Sequence, residues 1–167
     1  MEGRSFPKVV CGSLLVLLLL VAGHIFADDK KTACSNAHPE QLCTAANTCG
    51  ANGTKCVLEV KRAGGGNDAS VVPNIPDYKK NTAICIATGA SVTWQGGGKN
   101  TGIMVDFGAN DPFDPAGPIM GGSDRPITKV AKKAGCFHYS AGACTAGTAY
   151  GMCGNSDFDL IVTSGAK

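Results

Sequence analysis

The chain has 167 residues, 44% of them hydrophobic and 17% charged, with nine cysteines and a formal net charge of +2. That length suits one domain with a buried core. So even a charge balance excludes a basic face for nucleic acid or for an anionic membrane surface.

At the N-terminus, Arg4 and Lys8 form a short basic front to an almost wholly apolar run over residues 9–21, centred on Leu14, Leu15 and Leu17 to Leu20. Small residues follow at Gly23 and Ala27, and Asp28-Asp29-Lys30-Lys31 then turns abruptly polar. This is the pattern of a secretory signal, and it predicts cleavage after Ala27. An uncut anchor over residues 9–26 is the competing reading, since that run approaches the lower limit for spanning a bilayer. Cys11 precedes the leucine run, so it is not placed as a lipid-attachment cysteine. Cleavage takes Glu2, Arg4 and Lys8 from the 13 acidic and 15 basic residues, leaving 12 and 13, a formal charge of +1. It also removes Cys11 and leaves eight cysteines: Cys34, Cys43, Cys49, Cys56, Cys85, Cys136, Cys144 and Cys153. An even set in an exported chain predicts disulfides in a secreted or periplasmic protein, with no membrane contact after cleavage. Sequence alone leaves about 105 pairings open.

Residues 28–55 form a cysteine-rich leader in which Cys34, Cys43 and Cys49, with Cys56 just beyond, lack the C-x-x-C spacing of a zinc site. A disulfide-tied leader is expected, with a short helix over residues 37–46 and His38 exposed before Pro39. From residue 56 to the end, short apolar stretches alternate with Gly, Pro, Asn and Asp. Strands are predicted over residues 56–60, 82–88, 91–95, 102–107, 126–130, 136–140 and 158–163. No internal repeat and no long 3.6-residue period interrupts them. The expected fold is all-β, a sandwich or barrel. Alternation places Val92, Trp94, Ile103, Val105, Phe107, Ile84, Ile86, Phe137, Tyr139, Phe158, Leu160 and Val162 in one core.

Three motifs in order carry a family resemblance. Thr88-Gly89-Ala90-Ser91-Val92-Thr93-Trp94 is a glycine turn entering a V-x-W strand, and Gly102-Ile103-Met104-Val105-Asp106-Phe107 is an alternating strand. Gly135-Cys136-Phe137-His138-Tyr139 is a G-x-Y-x-F/Y-like strand, followed by the closing strand Asp157-Phe158-Asp159-Leu160-Ile161-Val162. Over residues 56–163 this set resembles a cupredoxin-like domain, the Greek-key β-sandwich of the small blue copper proteins. The resemblance implies a copper site of two histidines and a cysteine, often with a methionine. Its ligands are not in place. No histidine stands near Gly102 and Ile103, the cysteine register falls on Ala141, and no histidine follows His138. A blue copper centre is therefore not expected, and no cofactor is predicted.

Cys144, Met152 and Cys153 do fall in the loop where the family clusters ligands, with His138 upstream. They are the alternative copper site, a soft thiolate and thioether set. The favoured reading is a Cys144–Cys153 disulfide closing the glycine-rich segment over residues 146–151. His138 then points outward on its strand.

The remaining constellations are weaker. Asp106, Asp111 and Asp114 do not follow calcium-loop spacing and are expected to form turns, with Phe113 tucked against the core edge. Asp157 and Asp159 are expected on the solvated face of the last strand. Gly96-Gly97-Gly98-Lys99-Asn100 lacks the phosphate-loop pattern, and there is no G-x-S-x-G elbow. No residue stands out for catalysis. The leading expectation is a non-catalytic binding or structural module with a protein or small-molecule partner. The alternatives are a copper-binding or electron-transfer protein with non-standard ligands, and a disulfide-rich secreted effector or inhibitor that works through its leader.

Overall fold

The structure is a computed structural model, and it describes residues 32–50, 54–64, 67–79, 83–145 and 153–165. The signal segment over residues 1–27, the segment over residues 146–151 and Met152 lie outside the described residues.

The described residues form an all-β domain of two sheets. Strand β1 is Thr48–Cys49, β2 Cys56–Ala63, β3 Asp68–Pro73, β4 Ile84–Ala87, β5 Ser91–Gly96 and β6 Thr101–Asp106. Then come β7 Phe113–Asp114, β8 Ile119–Gly122, β9 Ile127–Ala131, β10 Gly135–Thr145 and β11 Cys153–Thr163. One sheet has the order β1-β4-β11-β10-β6-β8 and the other β3-β2-β5-β9-β7. The pairs β1/β4, β4/β11 and β2/β5 are parallel, because the chain leaves one sheet for the other before it returns. Antiparallel pairs such as β10/β11 and β10/β6 make up the rest.

Period-two alternation sends one side of each strand into the space between the sheets. Leu58 and Val60 of β2, Val92 and Trp94 of β5, Ile103 and Val105 of β6, and Phe137 and Tyr139 of β10 meet there. Phe158 packs partly buried against them. The centre is aromatic: the Trp94 ring lies edge-on to Tyr139 at 5.8 Å and to Phe113 at 6.1 Å, while Phe107 stacks on Tyr139 at 4.7 Å.

Several elements escape simple pattern reading. β3 ends on Pro73, which costs no ladder bond because β3 is an edge strand. β8 carries two glycines among its four residues and has little alternation to show. β10 and β11 run well beyond the predicted stretches, since Ala141, Gly142, Ala143 and Gly154 carry little hydrophobic signal. At Gly154 the sheets converge: a Cβ there would collide with the Asp68 carbonyl. At that corner Asn155 N–H donates to Asn67 O at 2.8 Å and Ala69 N–H to Ser156 Oγ at 3.1 Å, joining the sheets.

The helix predicted over residues 37–46 is not formed. Two single 3-10 turns, Ala33–Ser35 and Pro39–Leu42, take its place. So short a segment cannot repay helix nucleation, whereas the tether of Cys43 to Cys85 holds an irregular path. Asn47 fixes the exit from it. Its Oδ1 accepts Thr44 N–H at 2.6 Å, and its Nδ2 donates to Leu42 O and Ala83 O.

Four disulfides hold this leader and the hairpin: Cys34–Cys136, Cys43–Cys85, Cys49–Cys56 and Cys144–Cys153. Such a set fits an oxidising, extracellular environment. The first three are nested in sequence, each inside the last. Cys34–Cys136 and Cys43–Cys85 draw the leader over the outer face of the larger sheet, so that the outward-pointing Cys85 and Ile161 are buried, while Cys49–Cys56 joins β1 to β2 within the core. Residues 31–167 cluster as one compact unit, with the leader supplying β1. Among the described residues no helix is long and apolar enough to cross a membrane.

Tyr139 gives the core a pH signature. Among the described residues its hydroxyl has no hydrogen-bond partner, and burial pushes its ionisation far above the usual value near 10, with the charges of Tyr78 and Asp159 adding to the effect. Above pH ~10 the unfolded chain releases this proton and the folded chain keeps it, so stability falls as pH rises. The slope from this group rises toward about 1.4 kcal/mol per pH unit above pH ~11, a summed loss of about 1.4 kcal/mol between pH 9 and 11. Denaturant titrations between pH 9 and 11 read it, and Tyr139→Phe should remove that loss. An unchanged slope in the variant would contradict the assignment.

Candidate functional site

The outward residues of the larger sheet bear every described residue singled out above for copper. On β10 these are His138, Ser140, Gly142 and Cys144. Opposite them on β11 stand Asp159, Asp157, Asn155 and Cys153. On the other flank, β6 sets Asp106, Met104 and Gly102 against Ser140, Gly142 and Cys144.

This register separates the groups. Cys144 and Cys153 sit opposite each other and are joined as a disulfide. His138 is six residues down β10, and at about 3.3 Å per residue that is roughly 20 Å away, far outside the reach of a shared metal ion. The structure therefore does not bring His138 together with the two cysteines, and Met152 is outside the described residues. Gly102 occupies the place opposite Cys144 on β6 and supplies no side chain. Among the described residues no three His, Cys, Asp or Glu side chains are grouped as metal ligands would be.

His138 has a different partner. Its Nδ1 lies 3.0 Å from Asp159 Oδ1, while Asp159 Oδ2 accepts Cys34 N–H at 3.0 Å. A carboxylate oxygen accepts, so Nδ1 carries the proton of this hydrogen bond. Asp159 was expected on the solvated side of its strand, and here the structure corrects the sequence: its side chain is only 7% exposed, against 56% for His138. The leader covers the aspartate and uses it as an anchor. Asp159→Ala should cost about 1–3 kcal/mol by orphaning the Cys34 amide, and His138→Gln less than about 1 kcal/mol. Chemical denaturation of the two variants checks the asymmetry, and equal losses would contradict it.

The acidic turn divides likewise. Asp106 Oδ1 accepts Gly108 N–H at 2.8 Å, an Asx turn. Asp111 is buried, and its two oxygens accept Phe113 N–H at 2.8 Å and Gly117 N–H at 2.7 Å. Phe113 is buried in the core, and Asp114 is exposed. The Asp106 and Asp111 carboxylates order backbone.

Two surface features were not singled out by sequence. Met104 and Met120 stand opposite each other on β6 and β8, 51% and 67% exposed. On the outer face of the other sheet an open groove of about 420 Å³ is bordered by Lys55, Gly89, Ser91, Thr93 and Thr128. Gly89 turns there in the left-handed region (φ 88°), and the Thr93 and Thr128 hydroxyls lie 2.9 Å apart. The signal for both was the outward parity of paired residues on neighbouring strands, legible only once the register is known. The groove offers hydroxyls and one ammonium but no nucleophile beside a base.

No protein-family model matches the chain, and no curated protein matches it. Among solved structures it is similar to Lac15 from a marine microbial metagenome, at 16% identity and a TM-score of 0.33. The match covers 68% of this chain and 32% of that one, so the chain spans about a third of the length of the protein it matches.

Proposed function

We propose that the chain is an exported cupredoxin-like module of the non-catalytic kind, secreted or periplasmic, that serves as a binding or structural domain without a blue copper centre. The observation that carries this reading is the closure of Cys144 on Cys153 opposite the side-chain-free Gly102. At the strand ends where the resemblance implies copper ligands, this chain has a disulfide and a glycine. A bonded sulfur is no thiolate, and a thiolate is what such a site requires. The leader acts as part of the scaffold, because it covers Ile161 and anchors on Asp159. That favours the module over an effector with a detachable working segment. Its partner is a protein or small molecule and not nucleic acid, given the near-neutral charge.

Titration of the oxidised protein with cupric and then cuprous ion tests the proposal. The expected result is no stoichiometric binding and no intense visible absorption. Stoichiometric binding of either ion, with a strong visible band in the cupric case, would overturn it in favour of a copper-binding or electron-transfer protein.

A further inference from the structure

We propose that Cys144–Cys153 is a thiol-exchange site, the one disulfide of the four that an external dithiol opens while the fold stands. Access and connectivity carry it, and it shares with the functional reading above the presence of that bond in the oxidised protein.

Cys144 and Cys153 are both exposed. Each of the other three bonds has shielding. Cys49 and Cys56 are buried, Cys85 is buried beneath the leader, and Cys34, Cys43 and Cys136 are partly covered. Attack on a disulfide requires a thiolate to reach a sulfur, so exposure ranks the four. Gly102 widens the difference. It is the cross-strand neighbour of Cys144 on the side away from Cys153, and a side chain there would flank Cys144. Nothing in the backbone demands glycine at this position. A Cβ on Gly102 would approach nothing closer than the Cys144 carbonyl at 3.9 Å, and its φ is not in the left-handed region. The glycine leaves the sulfurs open without serving the turn chemistry that explains Gly89.

Connectivity makes the opening tolerable. The bond closes a sequence separation of 9, against 102 for Cys34–Cys136. Backbone pairing of β10 with β11 continues from Ala143↔Gly154 down to Gly135↔Val162. Neither strand depends on the bond for its place.

The exchange is balanced by the reductant. One thiolate of the dithiol attacks a sulfur of the pair, forming a mixed disulfide and expelling the other cysteine as thiolate. The second thiol of the reductant then attacks its own mixed sulfur and releases the remaining cysteine. The protein bond gains two electrons, the dithiol becomes a cyclic disulfide, and its two protons end on Cys144 and Cys153.

The test is a time course of the whole oxidised protein in dithiothreitol, quenched by alkylation and mapped by mass spectrometry, with circular dichroism followed in parallel. Cys144 and Cys153 are expected to be alkylated about tenfold or more faster than any other pair, with the β signal unchanged. The variant Gly102→Leu should slow that step several-fold and leave the other three rates alone. Reduction of all four bonds together, earlier opening of Cys34–Cys136, loss of the β signal as the first pair opens, or an unaltered rate in a folded Gly102→Leu protein would each overturn the proposal.

Discussion

Replacing Trp94 by alanine is expected to cost about 4 kcal/mol, enough to leave the domain near or past the edge of folding. The indole is fully buried at the centre of the sandwich, with Phe107, Phe113 and Tyr139 disposed edge-on around it. Those rings come from β10, β7 and the segment after β6, so collapse into the vacated space would require two sheets to shift at once. The cavity is therefore expected to stay largely open and to carry its full penalty. Trp94→Phe keeps three ring contacts and removes the unpartnered indole N–H, and it should cost markedly less. Urea unfolding followed by far-ultraviolet circular dichroism reads both, since Trp94 is the sole tryptophan and its fluorescence is lost in either variant. A loss below about 1 kcal/mol for the alanine variant would show that the aromatic cluster does not organise the core.

Removal of the Cys34–Cys136 bond by double substitution with serine is expected to cost about 4 kcal/mol. The chain-entropy contribution grows with the loop closed, and this bond spans 102 residues of sequence. The Cys43–Cys85 bond, nested inside, short-circuits 42 of them, which lowers the figure only slightly because the dependence is logarithmic. Two further losses follow in the same variant. The Cys34 amide loses its fixed position against Asp159, and Ile161 loses part of its cover. By contrast, loss of Cys144–Cys153 should cost about 2–3 kcal/mol. Thermal unfolding of the two double variants side by side measures the ordering, and a larger loss from the short hairpin bond would contradict it.

Much of the architecture was legible because alternation is a local property. Val92 and Trp94, or Ile103, Val105 and Phe107, declare their inner face without knowledge of any partner strand. What stayed hidden depended on distant chain. Cys34 meets Cys136 only because β10 passes beneath the leader, and nothing in the spacing of either cysteine says so. Asp159 looked like a solvated residue because its own strand alternates correctly; it is buried by a segment 125 residues away. β3 and β8 were obscured by proline and glycine, tolerated on sheet edges where local propensity matters least. At the candidate site the residue types were visible, but their separation was not. His138 and Cys144 are close in sequence, and an extended strand carries them to opposite ends of one sheet face.

The reading of a stapled module without copper stands or falls on the state of the eight cysteines in residues 28–167. Peptide mapping of the unreduced protein after alkylation under denaturing conditions measures it most directly. The account predicts no alkylated cysteine among the eight and four linked peptide pairs: Cys34 with Cys136, Cys43 with Cys85, Cys49 with Cys56 and Cys144 with Cys153. Recovery of Cys144 or Cys153 as a free, alkylated thiol in protein prepared without reductant would contradict it.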